Sequence, residues 1–313
     1  MKKLYEKNEL TFALVWIGLY VVVMNIALQF CGGFDGLASK TALQVLVPVI
    51  CICVLAVIST VWIIQNGLSG KYGLCRFKGS RKQFLYFIPL VIMSCVNLKN
   101  GLGLNAPGAV VLLMMVNLAV GGYVEEIIFR GFLFRAMAKD NLRSAIIVSA
   151  ITFGAGHIVN LANTADTLGV LLQVCYAIVI GFLYTIIIYK GGSLWPCIAS
   201  HMFVNGSSTF ALEQGPFSNF VAAVFGQVSA DLVQVCSSVL IMVISGSYAS
   251  ITQSARTNRA TEFVRRFLVL TIEMRGVSIL SGGISRGAGV LTPECITPSA
   301  DTLTKSPSID RML

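Results

Sequence analysis

The sequence predicts an all-α fold, a polytopic bundle of about eight transmembrane helices. Of its 313 residues, 56% are hydrophobic and 12% are charged, about half the charged fraction of a typical soluble domain. The mean hydropathy is +0.80, and long apolar stretches recur along the chain. This composition excludes a disordered protein or a soluble nucleic-acid binder. The expected partners are therefore membrane lipid and a membrane-associated molecule, with no nucleic acid.

Eight apolar segments qualify as spans, because a helix needs about 20 apolar residues to cross the hydrocarbon. The last segment contains Gly226, Ser229 and Asp231 and is longer than one span requires, so a break in its helix is allowed there. Seven spans is the alternative count. The eight segments are 11–31, 43–65, 85–98, 108–129, 144–162, 167–189, 193–212 and 218–249.

The distribution of basic residues predicts the orientation of these spans. Lys and Arg are concentrated in cytoplasmic loops of membrane proteins. With the N-terminus inside, the opposite loops hold only Lys40 and Lys99. The pattern favours an even number of spans, with both termini cytoplasmic. The inside segments would hold Lys2, Lys3, Lys7, Lys71, Arg76, Lys78, Arg81, Lys82, Arg135, Lys139, Arg143, Lys190, Arg256, Arg259, Arg265 and Arg266.

Two adjacent carboxylates lie within the fourth segment. A charged side chain at a helix centre in the membrane costs about 2.5–3.5 kcal/mol, so such residues are functional candidates. Successive helical side chains differ by about 100°, so Glu125 and Glu126 point in different directions. Glu126 and Arg130 are four residues apart and can form an ion pair. Glu125 has no such local partner and is expected to face another part of the fold.

Two further segments carry the only histidines of the chain. His157 follows the small residues Gly154, Ala155 and Gly156, which permit close helix packing and could seat it against the Glu125 helix. His201 and Asn205 are four residues apart and can point into one cavity.

Together these groups supply a carboxylate, two imidazoles and an amide. A carboxylate beside an imidazole can deprotonate a water, and a second imidazole with an amide can stabilise an oxyanion. This set is sufficient to hydrolyse an amide bond. In a second interpretation Glu125, His157 and His201 bind zinc, and the metal activates the water.

The three motifs have the form E-E-x-x-x-R, F-x-x-x-H and H-x-x-x-N, in that order and each in a separate predicted span. In this respect the chain resembles the CPBP group of intramembrane proteases, which includes type II CAAX prenyl endopeptidases and bacteriocin-processing or self-immunity proteins. The similarity covers roughly residues 108–212. The matching residues are Glu125, Glu126, Arg130, Phe153, His157, His201 and Asn205, with Gly131-Phe132 and Ser193-Leu194-Trp195-Pro196 beside them.

The resemblance implies a role for each residue. Glu125 would activate water with His157 as its partner, His201 and Asn205 would stabilise the oxyanion, and Glu126 with Arg130 would support them. We expect three regions: N-terminal spans at 1–107, a catalytic membrane core at 108–250 that resembles the family, and a tail at 251–313. The tail is rich in Ser, Thr, Gly, Pro and Arg and is expected to be disordered and cytoplasmic. Because many members of the family are bacterial, the resemblance implies the plasma membrane of a bacterium. Whether the family uses zinc or glutamate alone stays open at this point.

The predicted function is an intramembrane endopeptidase that cleaves a membrane-associated protein or peptide, a prenylated one included. CAAX-type processing and bacteriocin processing or self-immunity are both compatible with the motifs. We expect a water-filled cavity that opens toward the cytoplasm, because the Glu125 helix ends near Arg135 and Lys139. The alternatives are a proton-coupled transporter that uses Glu125 and His157, and a non-enzymatic immunity or scaffold protein.

Overall fold

Helices account for nearly all of the regular structure. The computed structural model describes residues 1–77, 87–104, 106–226 and 230–252. Within these ranges the only strand-like pairing is an isolated antiparallel bridge between Leu102 and Ala211. The prediction of an all-α membrane bundle is therefore confirmed.

Side-chain caps fix the starts of two of the first helices. Asn8 accepts a hydrogen bond from the Thr11 backbone N–H at 2.8 Å, and Thr41 and Gln44 form a reciprocal capping box. Short 3-10 helices cover Leu37–Ser39 and Cys95–Asn100. The first five α-helices are α1 (Lys2–Lys7), α2 (Glu9–Phe30), α3 (Ala42–Gln65), α4 (Ile88–Ser94) and α5 (Gly108–Glu126).

Helix α5 continues without a break into a π-helical segment, Ile127–Leu133, and then into α6 (Phe134–Ala138). Every residue of the π-helical segment is buried. Its widened turns change the hydrogen-bonding pattern, and the Ser149 hydroxyl donates to the Phe129 carbonyl at 2.9 Å. Such segments are frequent at functional sites, and this one directly follows the two carboxylates.

Side-chain caps also fix the starts of two of the remaining helices. Asn141 accepts from the Ser144 N–H, and Asp166 accepts from the Gly169 N–H. A 3-10 helix, His157–Ala162, extends the first of these helices. The five are α7 (Leu142–Gly156), α8 (Thr167–Gly191), α9 (Trp195–Ser208), α10 (Pro216–Phe225) and α11 (Ala230–Thr252).

Helix α5 lies at the centre of the bundle. It packs against α3 on one side and α9 on the other, while α7 packs on α8 and α8 on α11. Helix α2 packs against the π-helical segment. The core of the protein therefore surrounds the segment that contains the predicted catalytic residues.

Among the described residues, six helices are long and apolar enough to span a membrane, and shorter helices take the place of the other predicted spans. The predicted span 193–212 is α9, whose 14 residues reach about 21 Å, short of the roughly 30 Å hydrocarbon core. The six long helices are Glu9–Phe30, Ala42–Gln65, Gly108–Ala138, Leu142–Ala162, Thr167–Gly191 and Ala230–Ala249.

Two other predicted segments also differ from the observed helices. Segment 85–98 corresponds to α4 and the 3-10 helix that follows it, and its residues 85 and 86 lie outside the described part. Segment 218–249 is divided, because α10 ends at Gly226, whose φ of 83° is a conformation that favours glycine. The break allowed there is thus confirmed. Of the predicted tail, residues 253–313 lie outside the described residues.

Loop contacts define two ends of the bundle. At the first end, Glu9 forms ion pairs with Lys71 at 2.7 Å and Lys139 at 2.5 Å. Burial lowers the pKa of Lys71, but its hydrogen bonds to Glu9 and Tyr5 outweigh burial and raise it. At the second end, Asp35 accepts hydrogen bonds from the loop before α8. We call these the basic end and the acidic end.

Candidate active site

Glu125 and Glu126 lie in the last turn of α5, and their side chains diverge as predicted. Glu125 is 9% exposed and Glu126 is fully buried. Glu126 faces Arg130 and forms the predicted ion pair, with an Nη1–Oε1 distance of 2.9 Å. Glu125 faces α2 and a cavity. Glu126 is therefore held inside the protein, whereas Glu125 lines the cavity.

The Arg130 guanidinium is fully buried. Besides Glu126, it contacts the faces of two aromatic rings, Phe153 at 4.0 Å and Tyr184 at 5.5 Å from the ring centroids. A cation over an aromatic face is attracted by the ring quadrupole. The ion pair and these rings offset part of the cost of removing the charge from water, while Nε and Nη2 make no hydrogen bond with the described residues.

His201 lies between the two carboxylates. Its Nδ1 is 2.8 Å from Glu126 Oε1, and its Nε2 is 3.4 Å from Glu125 Oε2. Helix α9 approaches α5 this closely because residue 122 is glycine: a Cβ there would meet the His201 ring at 3.1 Å. Since both ring nitrogens face carboxylates, His201 connects the buried carboxylate to the one at the cavity.

Tyr20, in the middle of α2, is a site residue that the sequence analysis missed. Its hydroxyl donates a short hydrogen bond to Glu125 Oε1. The residue lies 105 positions away in the chain and within an ordinary apolar span, so no spacing rule connects it to Glu125. A polar aromatic at the centre of a span was the only sequence signal that could have singled it out.

His157 is the first residue of the 3-10 helix after α7 and is half-buried. It lines the same cavity as Glu125, although among the described residues no hydrogen bond joins the two side chains. Its ring packs edge-to-face on Phe153 at 5.1 Å. Two of the small residues before it pack on different helices. A Cβ at Gly154 would meet the Ile178 backbone nitrogen of α8 at 2.8 Å, whereas a Cβ at Gly156 would contact the Phe129 ring, in the segment that continues α5, at 3.9 Å.

The cavity has a volume of about 410 Å³. Glu125, His157 and Asn205 line it, whereas His201 lies behind Glu125 and is 6% exposed. Asn117, two turns before Glu125, is 3% exposed and lines the same wall with its Oδ1 unpaired. The fold thus brings three of the four predicted residues to one cavity, and the fourth contacts Glu125 from the protein side.

The cavity leads from Glu125 to the acidic end of the bundle. Residues near its mouth are Leu28, Phe34, Thr164, Asp166 and Ser208, which belong to the ends of helices and loops on that side. Arg135 and Lys139, where the opening was expected, do not line this cavity; they line a separate pocket at the basic end. Phe132 and the rings of Phe12 and Tyr72 that pack on it follow Glu125 in the direction of those two residues.

The predicted zinc ligands are not assembled. Within the described ranges, no group of three side chains from His, Cys, Asp and Glu is arranged so that it could hold a metal ion. Both nitrogens of His201 already face carboxylates, and Phe153 packs against both imidazoles, at 5.1 Å from His157 and 5.6 Å from His201. The donor set of Glu125, His157 and His201 thus does not fit a tetrahedral zinc site.

A Tyr20→Phe variant is expected to lower kcat/KM of the hydrolysis inferred from the motifs by about 10- to 100-fold. A hydrogen bond to a charged group contributes about 1.5–3 kcal/mol, and this one orients the Glu125 carboxylate. Tyr176→Phe is the matched control, because Tyr176 lines the same cavity but is not bonded to Glu125. Steady-state kinetics check the difference; equal effects of the two variants would show that the Tyr20 hydrogen bond is unimportant.

Comparison with known proteins identifies the same region of the chain. The family model for the Type II CAAX prenyl endopeptidase Rce1-like family matches residues 107–207. This match confirms the resemblance to the CPBP group over about a third of the chain. The matched region contains every predicted site residue: Glu125, Glu126, Arg130, His157, His201 and Asn205. No curated protein and no solved structure matches the chain significantly.

Proposed function

We propose that this chain, whose residues 107–207 match the family model for the Type II CAAX prenyl endopeptidase Rce1-like family, is an intramembrane endopeptidase with Glu125 as its general base. The observation that carries the proposal is the position of Glu125. Its carboxylate lines a cavity within the helical bundle, together with His157 and Asn205. Oε2 is buried and makes no hydrogen bond with the described residues, so it has an unused acceptor lone pair that a water bound at this wall of the cavity would satisfy.

The neighbours of Glu125 orient it for this role. Tyr20 donates to one oxygen, and His201 Nε2 approaches the other. His201 is itself held by Glu126, which is paired with Arg130. A carboxylate that is fixed by such a chain of contacts presents its free lone pair in a defined direction, as general-base catalysis requires.

The hydrolysis would proceed in two steps. Glu125 takes a proton from water while the water oxygen attacks the carbonyl carbon of the peptide bond. The tetrahedral intermediate then collapses, the C–N bond breaks, and Glu125 returns the proton to the leaving amine nitrogen. No metal ion is needed for this sequence.

The oxyanion of the intermediate needs donors that face the cavity. We assign these to His157 and Asn205, because both line the cavity with Glu125. His201 is assigned instead as a positioning residue for Glu125. This distribution of roles differs from the one the resemblance implies, in which His157 assists the base and His201 stabilises the oxyanion.

The substrate class is a membrane-associated protein or peptide. Both CAAX-type processing and bacteriocin processing or self-immunity fit the proposed chemistry. The chain would act as a multi-pass protein of a bacterial plasma membrane, with both termini cytoplasmic. The region boundaries at residues 107 and 250 are retained as a proposal, although Tyr20 contributes to the site from the N-terminal region.

The test is cleavage in proteoliposomes containing a panel of membrane-tethered and prenylated peptides, in water enriched in ¹⁸O. Hydrolysis places one solvent oxygen atom in the new C-terminal carboxylate, which mass spectrometry detects. A Glu125→Gln preparation controls for contaminating proteases, and a chelator arm tests for a metal. Products without ¹⁸O, equal cleavage by the variant, or uptake of protons without cleavage would overturn the proposal, the last in favour of a transporter.

A further inference from the structure

The two ends of the bundle carry opposite charge. The basic end holds nine lysines and arginines among the described residues, whereas Lys40 and Lys99 are the only ones at the acidic end in those ranges. The charges of the acidic end include Asp35, Asp166 and Glu213. The nine at the basic end are Lys2, Lys3, Lys7, Lys71, Arg76, Arg135, Lys139, Arg143 and Lys190.

Contacts between loops, as well as the sequence, show which loops lie at the same end of the bundle. At the basic end, Glu9 at the start of α2 binds Lys71 and Lys139. At the acidic end, the Phe34 N–H donates to the Asn163 carbonyl at 2.7 Å, and Asn100 donates to the Glu213 carbonyl at 2.7 Å. The 22 residues of α2 separate the two ends by about 33 Å.

An aromatic cluster closes the site on the basic side. Phe132, one turn and a half beyond Glu126, packs against rings from α2, α3 and the following loop. The ring centroids of Phe12 and Tyr72 are 5.1 and 5.0 Å from it, and those of Trp16 and Trp62 are 5.7 and 6.0 Å away. These side chains lie on the basic side of Glu125, and the cavity that Glu125 lines does not include them.

On the other side, the cavity widens toward the acidic end. Its mouth includes Asp166 and Ser208, which are exposed, and half-buried Thr164. The Thr164 hydroxyl and the Ala165 N–H lower the pKa of the adjacent Asp35, so this end carries ionised carboxylates at neutral pH. Access to Glu125 is therefore from the acidic end.

We infer that the substrate reaches Glu125 from the extracytoplasmic face of the membrane. Because lysines and arginines are retained on the cytoplasmic side, the basic end is cytoplasmic and the mouth of the cavity lies on the opposite surface. The inference rests on the proposed endopeptidase function and specifies its substrate: an exported or membrane-anchored peptide whose cleavage site is exposed outside the cytoplasm.

The lining of the cavity specifies the chemistry of that peptide. Side-chain amides dominate its polar surface, and Asn117 Oδ1 is buried without a partner, which suits a peptide N–H. No lysine or arginine is among the described lining residues, while Asp166 is at the mouth. The site therefore fits a neutral or cationic segment better than an anionic C-terminal carboxylate. The amides of the lining are Asn25, Asn97, Asn117, Asn160, Gln173, Asn205 and Gln234.

Membrane vesicles of defined orientation test this inference. The probe is a membrane-impermeant, internally quenched peptide of neutral residues and lysines, supplied to right-side-out vesicles, inverted vesicles and detergent-solubilised protein. We expect cleavage in detergent and by right-side-out vesicles, with at least a tenfold lower rate in inverted vesicles. A probe with glutamates in place of lysines should be cleaved about tenfold more slowly, because like charges repel at the mouth.

Cleavage by inverted vesicles alone, or equal cleavage by both orientations, would overturn the inference. Absence of cleavage in detergent would instead count against the proposed endopeptidase function. In that event a labelling experiment decides the orientation independently of activity. An impermeant maleimide applied to spheroplasts should label Ser208→Cys and not Ser144→Cys, two exposed positions near opposite ends, above the wild-type background. The reverse pattern would overturn the inference.

Discussion

Replacement of Glu125 by glutamine is expected to lower kcat/KM by about 10³-fold. General acid–base groups typically contribute about 10²–10⁴-fold, and an amide cannot take the proton from water. Glutamine retains the size of the side chain and an oxygen that accepts from Tyr20, so the bundle should remain folded. Cleavage kinetics in proteoliposomes and the thermal unfolding temperature in detergent measure the two effects separately.

Glu213→Gln is the matched control for this variant, because it removes a carboxylate from an exposed position and should leave both quantities unchanged. Activity of Glu125→Gln within tenfold of the control would contradict the role of Glu125 as the base. A large loss of thermal stability together with activity would indicate that the carboxylate is mainly structural, and the kinetic result alone would then carry no mechanistic conclusion.

Contacts within one helix could be predicted from the sequence. The Glu126–Arg130 ion pair and the divergence of Glu125 follow from helical geometry alone, and both are confirmed. The same rule placed His201 and Asn205 on neighbouring turns of one helix. It could not determine that His201 turns toward the two carboxylates while Asn205 faces the cavity, since that depends on how close α9 lies to α5.

Contacts between helices required the structure. Tyr20 reaches Glu125 because α2 packs along the π-helical segment. That packing cannot be predicted from any periodicity in the sequence. Hydropathy also overestimated the length of α9. Its segment is apolar enough to span a membrane, but the helix is only 14 residues long. The direction of the cavity depends on which helix ends and loops meet around Glu125, and the motifs contain no information on that arrangement.

Substitution of Arg130 by methionine is expected to destabilise the protein by about 3–5 kcal/mol. Removing one partner of a buried ion pair leaves the other charge uncompensated, which typically costs this amount. Arg130 and Glu126 are both fully buried, and the variant also loses the cation–π contacts with Phe153 and Tyr184. Unfolding in mixed micelles with increasing SDS measures the free-energy change, with exposed Arg143→Met as the control.

The double variant Glu126→Gln, Arg130→Met separates charge compensation from packing. If the uncompensated Glu126 carboxylate causes the loss, neutralising it should restore about 1–2 kcal/mol relative to the single variant, since a neutral amide is less costly to bury than a charge. The contact of His201 Nδ1 can persist with the side-chain oxygen of the introduced glutamine. A double variant as unstable as the sum of the two single variants would mean that Arg130 stabilises the bundle through its aromatic contacts, and that Glu126 does not depend on it.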